Sequence, residues 1–309
     1  MPPPPTQSPN IFDRQLLRQR RERAASALLP HPDFLLDRIA HDFAERLSVV
    51  KRQFPVALNL GFHTQSLSRV LRPLAQIGSI VEADAVTSPP GQGGAHRIVS
   101  DDDALPFAEQ SFDLAVSGLS LHLINDLPGA LIQIRRCLKP DGLMLAALLG
   151  GQTLQELRQA WLIAEEELTG GVSPRVAPFA DVRDLGRLIQ RAGFALPVAD
   201  TDVVRVTYAS PLALMAEIKA MGASNMLTER RRVPVTRGLL MRAAQIYAER
   251  FGLSDGRIPA TFEIITLTAW VPHESQQKPL QPGSAQMRLA DALGAREVGS
   301  GEKAGGKNG

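Results

Sequence analysis

The chain has 309 residues, 34 Lys+Arg against 32 Asp+Glu and 44% hydrophobic residues, with a mean hydropathy of -0.06. That length and composition provide for a sizeable buried core and exclude disorder throughout, and a formal charge of +2 gives no global field for gripping nucleic acid. No run approaches the roughly 18 to 20 apolar residues that cross a bilayer, and Cys137, the single cysteine, makes no internal disulfide and no thiolate zinc site by itself, which predicts a cytoplasmic chain without a transmembrane segment.

Residues 1–10, MPPPPTQSPN, carry five prolines and little to bury, and read as a flexible leader. Residues 11–30 follow as a basic helix bearing Arg14, Arg18, Arg20, Arg21 and Arg23, a solvated or docking helix. Residues 31–275 form the folded body, and 276–309 form a mostly disordered tail with one short helix over 287–293. From Phe54 to Leu149 short apolar runs alternate with amphipathic ones: strands over 56–60, 79–83, 98–99, 112–117 and 143–149, helices over 66–75 and 127–138. This alternation predicts parallel βαβ units covered by helices on both faces, with ligands beyond the carboxyl ends of the strands.

The second half opens with Thr153 and Glu156 at capping-box spacing. Leu154, Leu157, Trp161, Ala164 and Leu168 then make one packing stripe. Asp181 caps a further helix that Gly193 stops, and a strand covers 202–208. Helices over 211–221 and 236–251 precede a last strand over 261–271, so residues 210–258 form an insertion before the final strand. Arg230, Arg231 and Arg232 within it read as an acidic-partner site or as a solvated helix end. Cys137, Trp161 and Trp270 read as core.

Three positions stand where chemistry is expected. Gly61 ends the first strand and opens a turn into a helix, where backbone can approach a ligand closely. Asp84 ends the second strand, the position from which a carboxylate takes both hydroxyls of a ribose, or merely forms a turn. His122 follows the fourth strand and reads as a base, as a group that orients substrate, or as a packed histidine.

The ordered set Leu58-Asn59-Leu60-Gly61, Asp84, Asp101 with Leu105-Pro106-Phe107, Phe112-Asp113 and Leu138-Lys139-Pro140-Asp141-Gly142 resembles the class I S-adenosylmethionine-dependent methyltransferases. The segments IFDR, SGLSLHLINDLPGAL, GGQTLQELR, SPRVAPF and DLGRLIQRAGF further resemble the complex I assembly arginine hydroxylases and their bacterial relatives. The malonyl-carrier-protein methyltransferases are a more distant likeness. The resemblance implies a Rossmann-like, seven-stranded, mostly parallel sheet with the seventh strand antiparallel and S-adenosylmethionine as cofactor. It implies a protein substrate, an NADH dehydrogenase subunit, met in a bacterial cytoplasm or peripherally at the inner membrane.

By position, the resemblance gives Gly61 the methionine part of the cofactor, Asp84 the ribose hydroxyls and Asp101 the adenine amine. Leu105 would pack on adenine, because Asp102 stands where an apolar residue is usual. It places His122 near the reactive sulfonium. Asn59, His63 and Gln65 stand where the family has an acid and two glycines, and each added side chain predicts weaker cofactor affinity. His63 and His122 with Asp84 or Asp101 would have the ligand types of a non-haem iron site, a reading set aside because the acids already have nucleotide roles; no metal is expected. The alternatives are ordinary methyl transfer to a small molecule or carrier protein, and an assembly chaperone that has kept the fold without catalysis.

Overall fold

The computed structural model describes residues 10–25, 33–61, 65–86, 96–101, 103–276 and 294. His63, Asp102 and the short helix expected over 287–293 lie outside the described residues. Residues up to His273 form one unit; Glu274–Gly309 is a second unit.

The continuous apolar runs of the first half become β1 (Phe54–Leu60), β2 (Ile77–Asp84), β3 (His96–Val99), β4 (Phe112–Gly118) and β5 (Leu138–Leu149). These strands pair parallel. β6 (Ala195–Tyr208) and β7 (Ile258–Trp270) complete a seven-stranded sheet of order β3-β2-β1-β4-β5-β7-β6. β7 runs antiparallel to both its neighbours, as expected for the seventh strand. The strand order reverses between β1 and β4, so the crevice above these two strands is the switch point where ligands bind in such sheets.

Helices cover both faces. On one, α2 (Phe34–Ser48), α3 (Ser66–Leu71), α5 (Gln155–Thr169) and α8 (Arg237–Phe251) share a core with the sheet. On the other, α4 (Leu127–Cys137) and α6 (Val182–Arg191) build a second core, in which Cys137 is a small buried residue. Asp181 caps α6 by accepting from the Arg183 N–H at 2.8 Å, and Gly193 takes φ +85° just past its end. α7 (Pro211–Ala220) and α8 form the insertion between β6 and β7. α1 (Arg14–Ala25) lies within the basic N-terminal stretch.

Four expectations are corrected. Thr153 and Glu156 do not make a capping box: Leu154 is the N-cap of α5, at φ +53° and with no side-chain cap bond. Instead they bind α5 to β7. Thr153 Oγ1 accepts from the Glu263 N–H at 3.1 Å, and the Glu156 carboxylate accepts from Thr261 Oγ1 at 2.5 Å. Leu168, at the far end of the expected stripe, is exposed. β6 begins at Ala195, seven residues before the expected 202, because Arg46 and Arg38 of α2 pair with Asp200 and Asp202 on this edge strand and so accommodate acids within it. Arg230–Arg232 sit in the connection between α7 and α8, at no helix end.

Candidate active site

The switch-point crevice is built by the residues that follow β1, β2, β3 and β4. Gly61 stands at φ +74°, with its N–H donating to the Ala83 carbonyl at 2.8 Å. A Cβ added there would lie 2.2 Å from Cβ of Ser120, so the glycine is required by the packing of the β1 and β4 ends against each other. Beneath it Asn59 is buried, its amide donating to Ser68 Oγ of α3 at 3.0 Å. Leu105 packs partly buried against the α4 core and donates its N–H to Gln133 at 2.9 Å.

Asp84 is fully buried at the end of β2, and its Oδ1 accepts from the Val86 N–H at 3.0 Å. Asp101 is half exposed beyond β3. Burial works against ionisation of Asp101, but hydrogen bonds from Arg14 and from the Asp103 N–H outweigh it and hold the carboxyl below its ordinary value. Both acids face α1. Arg14 donates to Asp101 at 2.8 Å and to the Leu123 carbonyl at 3.1 Å. Arg21, itself buried, stands 3.8 Å from Asp84. The Arg14–Asp101 pair joins residues 87 apart, and no spacing rule in the sequence points to it.

The N-terminal segment that carries α1 is tied down at its start. Phe12 forms a bridge with Leu227, and its N–H and carbonyl are both held by the side chain of Asn125. Asp13 accepts from Arg230 at 3.0 Å. Sequence reasoning gave α1 no place in the site; its arginines are the functional residues it missed.

α1 divides the crevice. On one side a cavity of about 240 Å³ lies between α1, Ala85, Val86 and Asp101. On the other side a cavity of about 750 Å³ extends between α1, α5 and α7. Leu17 and Arg21 line both. His122, in a short 3-10 turn (Leu121–Leu123), lines the larger one and packs edge-on against Phe179, ring centroids 5.6 Å apart. Burial, and secondarily the charge of Arg21, pushes its imidazole down to about 3. His122 is therefore neutral at neutral pH, a weak base and a suitable hydrogen-bonding group for orientation. Trp161 is buried with the Arg175 guanidinium 4.9 Å above its ring, and it too faces this cavity. Among the described residues no group of three His, Cys, Asp or Glu side chains is placed to hold a metal ion.

A methyltransferase-domain profile matches residues 69–146, which include Asp84, Asp101 and His122. The mitochondrial arginine-hydroxylase NDUFAF5 of Danio rerio is 39% identical over 293 residues, covering 92% of this chain and 90% of the relative. The Homo sapiens arginine-hydroxylase NDUFAF5 is 39% identical over 290 residues, 91% of this chain and 83% of that one. The chain belongs to the arginine-hydroxylase NDUFAF5 family.

A malonyl-[acyl-carrier protein] O-methyltransferase of Halorhodospira halophila is also similar, 34% identical over 75% of this chain and 79% of the relative. The fold is that of a candidate methyltransferase from Bacillus halodurans, with a TM-score of 0.52 at 15% identity over 75% of this chain and 100% of that one. The NDUFAF5 family member described here is thus an enzyme on a class I methyltransferase scaffold. No helix among the described residues is long and apolar enough to cross a membrane. Asp101 lines the smaller cavity, while Asp84 is buried at the end of the adjacent strand and does not line it.

Proposed function

We propose that the chain binds S-adenosylmethionine and hydroxylates an arginine of an NADH dehydrogenase subunit during complex I assembly, in the bacterial cytoplasm or peripherally at the inner membrane. The 39% identity with arginine hydroxylases across 92% of the chain carries this reading. Asp84 would hold the ribose hydroxyls, Asp101 the adenine amine, Gly61 and Asn59 the floor under the methionine part, and Leu105 an apolar wall. When bound, S-adenosylmethionine would supply an electrophilic methyl sulfonium, the chemistry of methyl transfer, which an oxygen insertion does not consume. Hydroxylation inserts one oxygen atom, so an oxygen donor is a co-reactant, and dioxygen with a two-electron reductant is the class that balances it.

The chain's own residues bind and orient. Arg14 and Arg21 already lay guanidinium groups on both carboxylates, so the donors of a bound cofactor would take the place of these two arginines. His122, neutral and shielded at Nδ1, orients the substrate rather than taking its proton.

The test is the mass of the product. Purified partner subunit incubated with the enzyme, S-adenosylmethionine, dioxygen and a reductant should gain one oxygen on an arginine. A gain of one CH₂ and no oxygen would contradict the proposal and leave methyl transfer. If neither is gained and an Asp84→Ala, Asp101→Ala double variant still restores a deletion strain, the chaperone reading stands instead.

A further inference from the structure

Apart from His122, the lining of the larger cavity has a composition that the proposed reaction does not use. Its walls are apolar, with Leu157 and Trp161 from α5, Met215 and Ile218 from α7, and Phe262 from β7. Its charged lining is six arginines, with no aspartate or glutamate among them. A volume of about 750 Å³ falls within the roughly 300–1,000 Å³ of small-molecule sites.

Three of the six arginines have acidic company. Arg21 faces Asp84, Arg175 pairs with Glu165, and Arg230 pairs with Asp13. Arg20 hydrogen-bonds only a backbone carbonyl, that of Asn225, and no ion pair includes it among the described residues. Burial, then repulsion from Arg230 and Arg23, holds its guanidinium below the ordinary arginine value. Arg231 and Arg232 are exposed at the cavity and take part in no ion pair among the described residues, although Asp13, the partner of Arg230, also feels the charge of Arg232. Val233 and Val235 beside them are also exposed. An apolar interior lined by six guanidinium groups, with only Asp84, Glu165 and Asp13 paired to them from outside the lining, disfavours a cationic amphipath and leaves a neutral ligand's head with nothing that needs it. An anionic head group answers both, because arginine forks take carboxylates and phosphates bidentately and are weakly hydrated.

We propose that this cavity is a binding site for a small anionic amphipath, its apolar chain lying along Trp161 and its carboxylate or phosphate head held by Arg20, Arg231 and Arg232. The site lies across α1 from the smaller cavity and shares Leu17 and Arg21 with it; its occupancy is read without cofactor or protein substrate, so the test does not depend on the arginine reaction.

Trp161 is one of two tryptophans in the chain and reports occupancy directly. The full chain is titrated with decanoate, decyl phosphate, decanol and decyltrimethylammonium, followed by tryptophan fluorescence and in parallel by calorimetry. The expected result is that at least one anionic probe binds ten-fold or more tighter than decanol, and that the cationic probe binds weakest. Trp161→Phe should abolish the fluorescence change while calorimetric binding persists. An Arg231→Gln, Arg232→Gln variant, altered only at exposed positions, should bind the anionic probe about ten-fold more weakly, equivalent to about 1.4 kcal/mol, with decanol unchanged. Preference for decanoate over decyl phosphate identifies a carboxylate head, and the reverse a phosphate head. Equal binding of anionic, neutral and cationic probes, no binding at all, or binding that leaves Trp161 unaffected would overturn the proposal.

Discussion

Replacing Gly61 by alanine places a Cβ 2.2 Å from Ser120 Cβ and 2.3 Å from its Oγ, on a backbone at φ +74°. The left-handed conformation costs a non-glycine residue about 1–2 kcal/mol. Forcing the extra methyl into a packed site adds about 1–3 kcal/mol, so Gly61→Ala should destabilise the fold by about 2–5 kcal/mol in all. Ser120→Gly removes the atoms that are struck. In that background the packing part vanishes, and only the conformational cost of about 1–2 kcal/mol should remain. Denaturant unfolding of the parent, the two single variants and the double variant closes a cycle whose coupling should be about 1–3 kcal/mol, the size seen for residues in contact. An additive cycle, or a Gly61→Ala protein within about 0.5 kcal/mol of the parent as for an ordinary surface change, would refute the claim that the β1 and β4 ends require this glycine.

Three further outcomes follow from the structure. His122 has its proton affinity lowered from 6.5 to about 3, so the unfolded chain takes up the proton first as pH falls. Its contribution to stability is therefore complete above pH 6.5 and is lost as pH drops toward 3, amounting to at most about 2 kcal/mol by about pH 5; His122→Phe should flatten that part of the stability profile, and an unchanged profile would contradict the burial argument. Glu156→Ala strands the buried Thr261 hydroxyl, and thermal unfolding should report a loss of about 1–3 kcal/mol, whereas a loss below about 0.5 kcal/mol would return Glu156 to a surface role. Asn125→Ala removes both hydrogen bonds to Phe12. At about 0.5–1.5 kcal/mol each, their loss should speed tryptic cleavage within α1 by roughly five-fold to a hundred-fold; equal cleavage rates would mean that Asn125 does not hold the segment.

Much of the scaffold was legible because its physics is local. The apolar runs at 56–60, 112–117 and 143–149 lie within β1, β4 and β5, and the Asp181 cap and the Gly193 stop stand where their chemistry puts them. α2 was missed, although its signal was present. Leu35, Leu36, Ile39, Ala40, Phe43 and Leu47 are spaced on one helical face, and all are buried. The capping-box reading of Thr153 and Glu156 failed for a different reason. The spacing is right for a cap, but β7, more than a hundred residues later, offers these side chains buried partners, and the unmet hydrogen bonds of a buried strand decide their use. Trp161 is core on one side and cavity wall on the other.

The site divides along the same line. Asp84 could be found because it ends a strand of a parallel sheet, and strand ends are readable; Asp101, two residues beyond β3, was pointed to by the family resemblance. Arg14 and Arg21 could not be found, since their positions depend on where α1 docks. That docking is fixed by Asn125, Leu227 and Arg230, residues far along the chain. The absence of carboxylates from the larger cavity is likewise a property of the assembled walls, drawn from α1, α5, α7 and the connection after it.

The most direct test of the cofactor site is calorimetric titration of the full chain with S-adenosylhomocysteine. Binding in the micromolar range, abolished by Asp84→Asn and tightened by Arg14→Ala because one competing guanidinium is gone, is the predicted result. Failure to bind, or binding indifferent to Asp84→Asn, would contradict the placement of the cofactor over Gly61, Asp84 and Asp101.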